Sequence, residues 1–124
     1  MSRQFDRLKL LLPGHFVWRS EVPLAIPGDQ RAIDAMIVKP VIRTGFELES
    51  LLSAAEAVAR RVALKQRDAG LEAMVLVLAD TRANRAAVTA ARATLQGAFP
   101  TSARAVLAEL RAGHSPQGNG ILLV

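Results

Sequence analysis

A chain of 124 residues has room for one domain, and 51% hydrophobic against 22% charged residues, with a mean hydropathy of +0.23, is a folding composition. The absence of cysteine excludes a disulfide scaffold, a thiolate zinc centre, an iron–sulfur cluster and a cysteine nucleophile, and 4% aromatics leaves a core of Ala, Val, Leu and Ile. The net charge is +5 and 13 of the 16 cations are Arg, whose forked guanidinium suits phosphate, so the expected partner is a nucleic acid.

Arg3–Leu12 carries Phe5, Leu8, Leu11 and Leu12 at helical spacing and is expected to form a helix that Pro13-Gly14 ends. His15–Val22 alternates as a strand, and Pro23 to Gly28 is a proline-bounded loop. Arg31–Lys39 and Val41–Glu49 read as two more strands joined by a tight turn at Pro40, and strands this close pair antiparallel. Ser53 with Glu56 three residues later reads as a capping box that opens a helix to Ala69, with Gly70 as its C-cap. Met74–Ala79 is a continuous apolar run, the pattern of a strand buried on both faces, and far short of the roughly 20 residues that a bilayer requires. Asp80 or Thr81 caps a helix to about Gln96, Ala103–Ala112 forms another, and Gly120–Val124 forms a last short strand. The order α-β-β-β-α-β-α-α-β predicts a single α/β domain over 1–124, with a mixed sheet flanked by helices. No signal-peptide core or membrane span is legible, so the expected location is the cytoplasm.

The charges that this pattern turns towards the sheet are the informative ones. Asp34 stands between Ile33 and Ala35, inside an apolar strand, where a carboxylate is costly unless something neutralises it. Glu47 and Glu49 are two apart and share one face, with Phe46 and Leu48 on the other. Asp34, Glu47 and Glu49 could therefore converge, and acids that converge call for a divalent cation or a raised pKa. With oxygen donors alone the cation would be Mg²⁺ or Mn²⁺, held by Asp34 and Glu47. In the following helix the stripe Leu51, Ala55, Val58, Val62 continues to Lys65, which projects towards the sheet with Arg61 and Gln66 beside it. Asp34, Glu47, Glu49 and Lys65 thus form a candidate metal-plus-lysine site for phosphodiester hydrolysis, to which Glu21 and Gln66 could contribute. The plainer reading is a solvated sheet face on which Glu47 and Glu49 pair with Arg31, Arg43 or Arg19.

Element order and these residues together resemble the PD-(D/E)XK, or restriction-endonuclease-like, nuclease superfamily. The acid of its second core strand matches Asp34 in "RAIDAMIV", and the first acid of its third-strand motif matches Glu47 in "FELES". The sequence departs from the pattern where Glu49 takes the lysine position and Ile33 stands where the motif has proline. Some members of the superfamily carry E-x-E or move the lysine to the next helix, where Lys65 lies. "VWRSEVPLAIPGDQRAIDAMI", "ARRVALKQRDAG" and "VLVLADTRANRAA" are similar to the C-terminal domain of actinobacterial helix-turn-helix proteins of the Xre type. That resemblance implies a DNA-linked transcriptional regulator and a separate helix-turn-helix protein as partner, since the recognition helix lies outside the matched segments.

Strand alternation puts Arg19 and Glu21 opposite Trp18, with Trp18 in the core. Arg19, Arg61, Arg82 and Arg85 are candidate nucleic-acid contacts, Arg82, Arg85 and Arg92 forming one helical stripe unless Asp80-Thr81 is an ordinary cap followed by a polar face. The function expected is a DNA-associated, Mg²⁺-dependent nuclease-like domain. The alternative is a non-catalytic regulatory domain, or a dimerisation module in which the Ala-rich helix Thr81–Gln96 pairs two copies.

Overall fold

The computed structural model describes residues 2–124. Its elements are α1 (Arg3–Leu10), β1 (Val17–Pro23), β2 (Ala32–Lys39), β3 (Thr44–Glu49), α2 (Ala55–Ala69), β4 (Ala73–Leu78), α3 (Arg82–Ala90), α4 (Arg92–Ala98), α5 (Ala103–Arg111) and β5 (Gly120–Leu123). The sheet runs β1-β2-β3-β4-β5. The first three strands form an antiparallel meander, whereas β4 lies parallel to β3, and β5 parallel to β4. The α2 crossover supplies the length that the parallel β3–β4 pair demands. The result is an α/β fold with an open, five-stranded mixed sheet.

Each face of the sheet has its own core. Phe5, Leu8 and Leu12 at the α1 end and Val106 and Leu110 of α5 pack on Ala35, Ile37, Phe46, Val75, Val77 and Leu122. On the opposite face Val58 and Val62 of α2, Leu95 of α4 and Phe99 just after it pack on Ile33, Met74, Leu76 and Leu78. β4 feeds both cores and is buried along its whole length, as its unbroken apolar run predicts. Trp18 joins the first core, edge-on to Phe5 at 5.6 Å and tilted against Phe46 at 5.2 Å.

Several boundaries differ from the sequence expectation. Ser53 does not cap α2; Ala54 occupies that position with no side-chain bond, so the Ser53–Glu56 capping box is absent. Gly70 does end the helix, at φ 63°, in the left-handed conformation that glycine adopts without strain. The helix expected to run unbroken to Gln96 is two, α3 and α4, meeting at Ala91 (φ −101°, ψ 21°). No residue there forbids a helix; the two halves are anchored differently. Thr81 caps α3 by accepting from Asn84 N, and Asn84 ties α3 to neighbouring loops, while Leu95 and Phe99 fasten α4 to the α2-side core. The alanines between Thr81 and Gln96 are therefore carried by two helices and not by one continuous stripe. Among the described residues, no helix is long and apolar enough to cross a membrane.

Candidate functional site

Alternation fails at one level of the sheet, in two neighbouring strands. Along β2, Ile33 and Met36 belong with the α2-side core but Ala35 and Ile37 with the α1-side core, so the strand turns over at Asp34. Along β1, Trp18 packs in the first core and Val22 against the second, with the reversal at Glu21, whose φ of 51° is rare for a residue with a Cβ. The register Ser20↔Ala35 and Val22↔Ile33 brackets these two acids and sets Glu21 across from Asp34.

The pairing of β2 with β3 also ends at this level. Its partners are Ala35↔Phe46 and Met36↔Gly45. Beyond them carboxylates take over the ladder: Asp34 N donates to Glu47 Oε2 at 3.1 Å, and Leu48 N donates to Asp34 Oδ2 at 2.8 Å. Strand ends that would otherwise leave unpaired N–H groups are closed by two of the three acids that sequence patterning singles out.

Glu47 is 2% exposed, yet its charge is matched. Lys65 Nζ donates to Glu47 Oε1 at 2.7 Å and to the Ala32 carbonyl at 2.7 Å. Arg61 Nε lies 4.0 Å from the same Glu47 oxygen, while its Nη2 donates to Glu49. Arg61 and Lys65, one turn apart on α2, thus meet Glu49 and Glu47, two apart on β3, as successive rungs. The spacing works because an i,i+4 step on a helix (~6 Å) matches an i,i+2 step on a strand (~6.6 Å). Burial pushes the Glu47 carboxyl above its ordinary range; the Lys65 hydrogen bond pulls it down, and the nearby Asp34 charge pushes it up.

Asp34 opens on the other side. Together with Ser2, Phe5, Ser20, Glu21 and Leu48 it lines a cleft of about 510 Å³ between β1, β2 and the first turn of α1. One carboxylate oxygen of Asp34 is committed to Leu48 N, and no protein donor among the described residues takes the other.

The structure therefore brings Asp34, Glu47 and Lys65 into one hydrogen-bonded chain and sets Glu21 beside Asp34. Glu49 is drawn off to Arg61, and among the described residues no three Asp, Glu or His side chains converge closely enough to cage a metal ion, so the expected three-acid cluster is not assembled. Asp34 keeps one oxygen that a hard divalent cation could take, whereas both Glu47 oxygens already accept protein hydrogen bonds. Gln66 faces away, accepting from Asn119 Nδ2 at 2.7 Å and donating to the Leu71 and Glu72 carbonyls. Arg85 is held by Asp80, Arg31 by Asp29 and Asp68, and Arg43 by the Gly70 carbonyl. None of the partners expected for a solvated face (Arg31, Arg43, Arg19) pairs with Glu47 or Glu49. Arg19 and Arg82 are exposed.

Sequence patterning passes over Asn84. Fully buried, it accepts from Leu52 N at 2.9 Å and donates to the Ser50 and Ala79 carbonyls at 2.9 and 2.8 Å, joining the segments that leave β3 and β4. Comparison with protein-family models, curated proteins and solved structures returns no match.

Proposed function

We propose that the chain is a restriction-endonuclease-like domain of the PD-(D/E)XK type, related to the C-terminal part of helix-turn-helix regulators, that acts on DNA by metal-dependent phosphodiester hydrolysis. The observation that carries this reading is Asp34 and Glu47 bonded across the point where β2 and β3 part, with Lys65 of the next helix on Glu47. The antiparallel β2–β3 register supports it, because it sets Asp34 beside Glu47 and Leu48 where the pairing ends.

Asp34, through its uncommitted oxygen, and Glu47 would hold Mg²⁺ or Mn²⁺. A bound cation of this kind polarises a phosphoryl oxygen and lowers the pKa of a water molecule. The chain's own residues do the rest. Lys65 fixes Glu47 with a 2.7 Å hydrogen bond and lowers its carboxyl against the rise that burial imposes. Glu21, across from Asp34, shapes the acidic side of the cleft, and Leu48 and Phe5 provide an apolar wall. Lys65 stands in for the lysine that Glu49 displaces from the strand motif.

The test is cleavage of single-stranded, duplex and branched DNA with Mg²⁺ or Mn²⁺, comparing the wild type with Asp34→Asn. Cleavage by the wild type and its loss in the variant are expected; an inert wild type on all three substrates overturns the reading.

One observation favours a second reading, in which the domain is a non-catalytic regulatory module. Both oxygens of Glu47 already accept protein hydrogen bonds in a nearly closed environment, as befits a pair that serves only to fasten α2 to the sheet. An inert wild type that still binds DNA or a helix-turn-helix protein is the outcome this reading expects.

A further inference from the structure

Arg61 and Glu49 form the outer rung of the β3–α2 ladder, and this rung differs from the inner one in a way that matters for substrate. Lys65 and Glu47 are 11% and 2% exposed at their side chains; Arg61 and Glu49 are 43% and 27% exposed. An ion pair so open to water holds its partners weakly, typically by less than about 1 kcal/mol, and is readily exchanged. Arg31 and Arg85 are each bound by carboxylates and Arg43 by a backbone carbonyl, so these three are already engaged elsewhere. Arg61 also approaches the Glu47 member of the acid pair, its Nε 4.0 Å from Oε1.

We propose that Arg61 is the substrate-phosphate-binding residue of the Asp34–Glu47–Lys65 site, and that Glu49 occupies it in the free protein as an internal substitute for the phosphate. The inference rests on the DNA-directed reading above. It gives Glu49 a role that neither a lysine nor a metal ligand at that position would have. Arg61 meets Glu49 through Nη2 and one carboxylate oxygen, whereas a phosphate can match the guanidinium fork with two oxygens, so the exchange trades a single surface contact for a two-point one. Once displaced, Glu49 stays at the site's edge, where its charge opposes rebinding. The arrangement sets a threshold: isolated phosphate competes poorly with a tethered carboxylate, and a DNA backbone with many contacts competes well.

The experiment measures binding of a short fluorescein-labelled DNA duplex, without divalent cation, to the wild type, Glu49→Gln, Arg61→Gln and the double variant across a salt series. Glu56→Gln on the exposed first turn of α2 reports the general effect of removing one negative charge. Glu49→Gln is expected to tighten binding by about two- to five-fold beyond Glu56→Gln, the range expected from freeing one cation from a surface pair. Arg61→Gln is expected to flatten the salt dependence by about one phosphate contact, and to reduce the Glu49→Gln gain to that of the control. Arg61→Lys, which keeps the charge but loses the fork, should bind with an intermediate affinity. If the wild type binds DNA but Glu49→Gln matches Glu56→Gln, or the salt slope is the same with and without Arg61, the exchange is wrong and the DNA-directed reading stands. If no variant binds DNA, both fall.

Discussion

Glu47 accepts a hydrogen bond from the backbone N–H of Asp34, one strand away, at 3.1 Å, so a side chain of β3 stands where a ladder carbonyl would. Asp34 in turn receives Leu48 N, and the two carboxylates splice strands that have stopped pairing. On the proposed nuclease reading the same acids would both close the sheet and serve the chemistry, so the two contributions need separate tests.

Asp34→Ala removes both the acceptor for Leu48 N and the carboxylate. Leaving that amide unpaired should cost about 1.5–3 kcal/mol, the range for hydrogen bonds to charged groups. Asp34→Asn keeps a carbonyl oxygen for Leu48 N and should lose less than half as much. If the proposed nuclease reading holds, both abolish metal-dependent cleavage. Urea unfolding beside a cleavage assay separates the two roles; equal destabilisation by Ala and Asn would show that the bond to Leu48 contributes little.

Lys65→Met should destabilise the protein by about 3–5 kcal/mol at neutral pH, because it strands the Glu47 charge in a buried site. The pH dependence gives the mechanism. Burial already raises the Glu47 carboxyl, and losing the lysine removes the hydrogen bond that pulls it down, so its folded pKa climbs further. A carboxyl whose folded pKa exceeds its unfolded value binds its proton more tightly when folded. The variant's deficit is therefore greatest above that folded pKa and shrinks as pH falls towards the ordinary value of 4.5. A deficit that does not change with pH would place the lost stability elsewhere, in the Ala32 carbonyl contact.

Asn84→Ala should cost about 3 kcal/mol or more, since it leaves Leu52 N and the Ser50 and Ala79 carbonyls without their partner in a dry site. Asn84→Asp, which keeps the acceptor for Leu52 N but turns two donor contacts into repulsions, should be no better. Thermal unfolding of the two variants decides this; a loss below 1 kcal/mol in both would mean that water replaces the amide.

Asn84 also marks where sequence reasoning stops. In "DTRANR" it sits in a capped, polar first turn, and periodicity there describes a solvated helix start. Its partners Ser50 and Leu52 lie 34 and 32 residues upstream, a relation set by the ends of two parallel strands and invisible in local spacing. Lys65 was legible for the opposite reason: it continues the stripe of Val58 and Val62, so helical period alone turns it inward. Asp34 stood out against its apolar neighbours, but the prediction that three acids converge assumed straight strands. The reversals at Glu21 and Asp34 and the pull of Arg61 on Glu49 redistribute the carboxylates, and neither follows from alternation.

Glycines at two close approaches should respond unequally to alanine. A Cβ at Gly45 would come within 2.6 Å of Met74 Sδ and 2.8 Å of Leu71 Cδ1, both ends of flexible side chains. At Gly120 it would meet Val106 Cγ2 at 2.5 Å and the backbone carbonyl oxygen of Thr101 at 2.7 Å. Backbone cannot swing aside, so Gly120→Ala should lose more than Gly45→Ala, with the larger loss near the upper end of the ~1–3 kcal/mol typical of overpacking. Denaturant midpoints that rank the two in reverse would mean that β5 shifts outward at little cost.

Acid should loosen the loop before β2 only below about pH 4. Arg31 binds Asp29 Oδ2 at 2.6 Å and Asp68 Oδ2 at 2.8 Å, joining that loop to the end of α2. The Arg31 hydrogen bonds lower Asp29 from 3.8 to about 2; Asp68 also lies below its usual range, through Arg67 and Arg31. A depressed folded pKa contributes stability that is complete above the unfolded value and disappears as pH falls through the folded one, here between about 4 and 2. Arg31→Gln should return Asp29 towards 3.8 and flatten the stability–pH curve across that interval, with little change in its shape at neutral pH. Two-dimensional NMR titration of the Asp29 and Asp68 carboxyls, with and without Arg31, checks the assignment directly. An Asp29 midpoint that stays near 2 in the variant would transfer the effect from the guanidinium to the backbone hydrogen bond that Asp29 accepts from residue 31 at 2.9 Å.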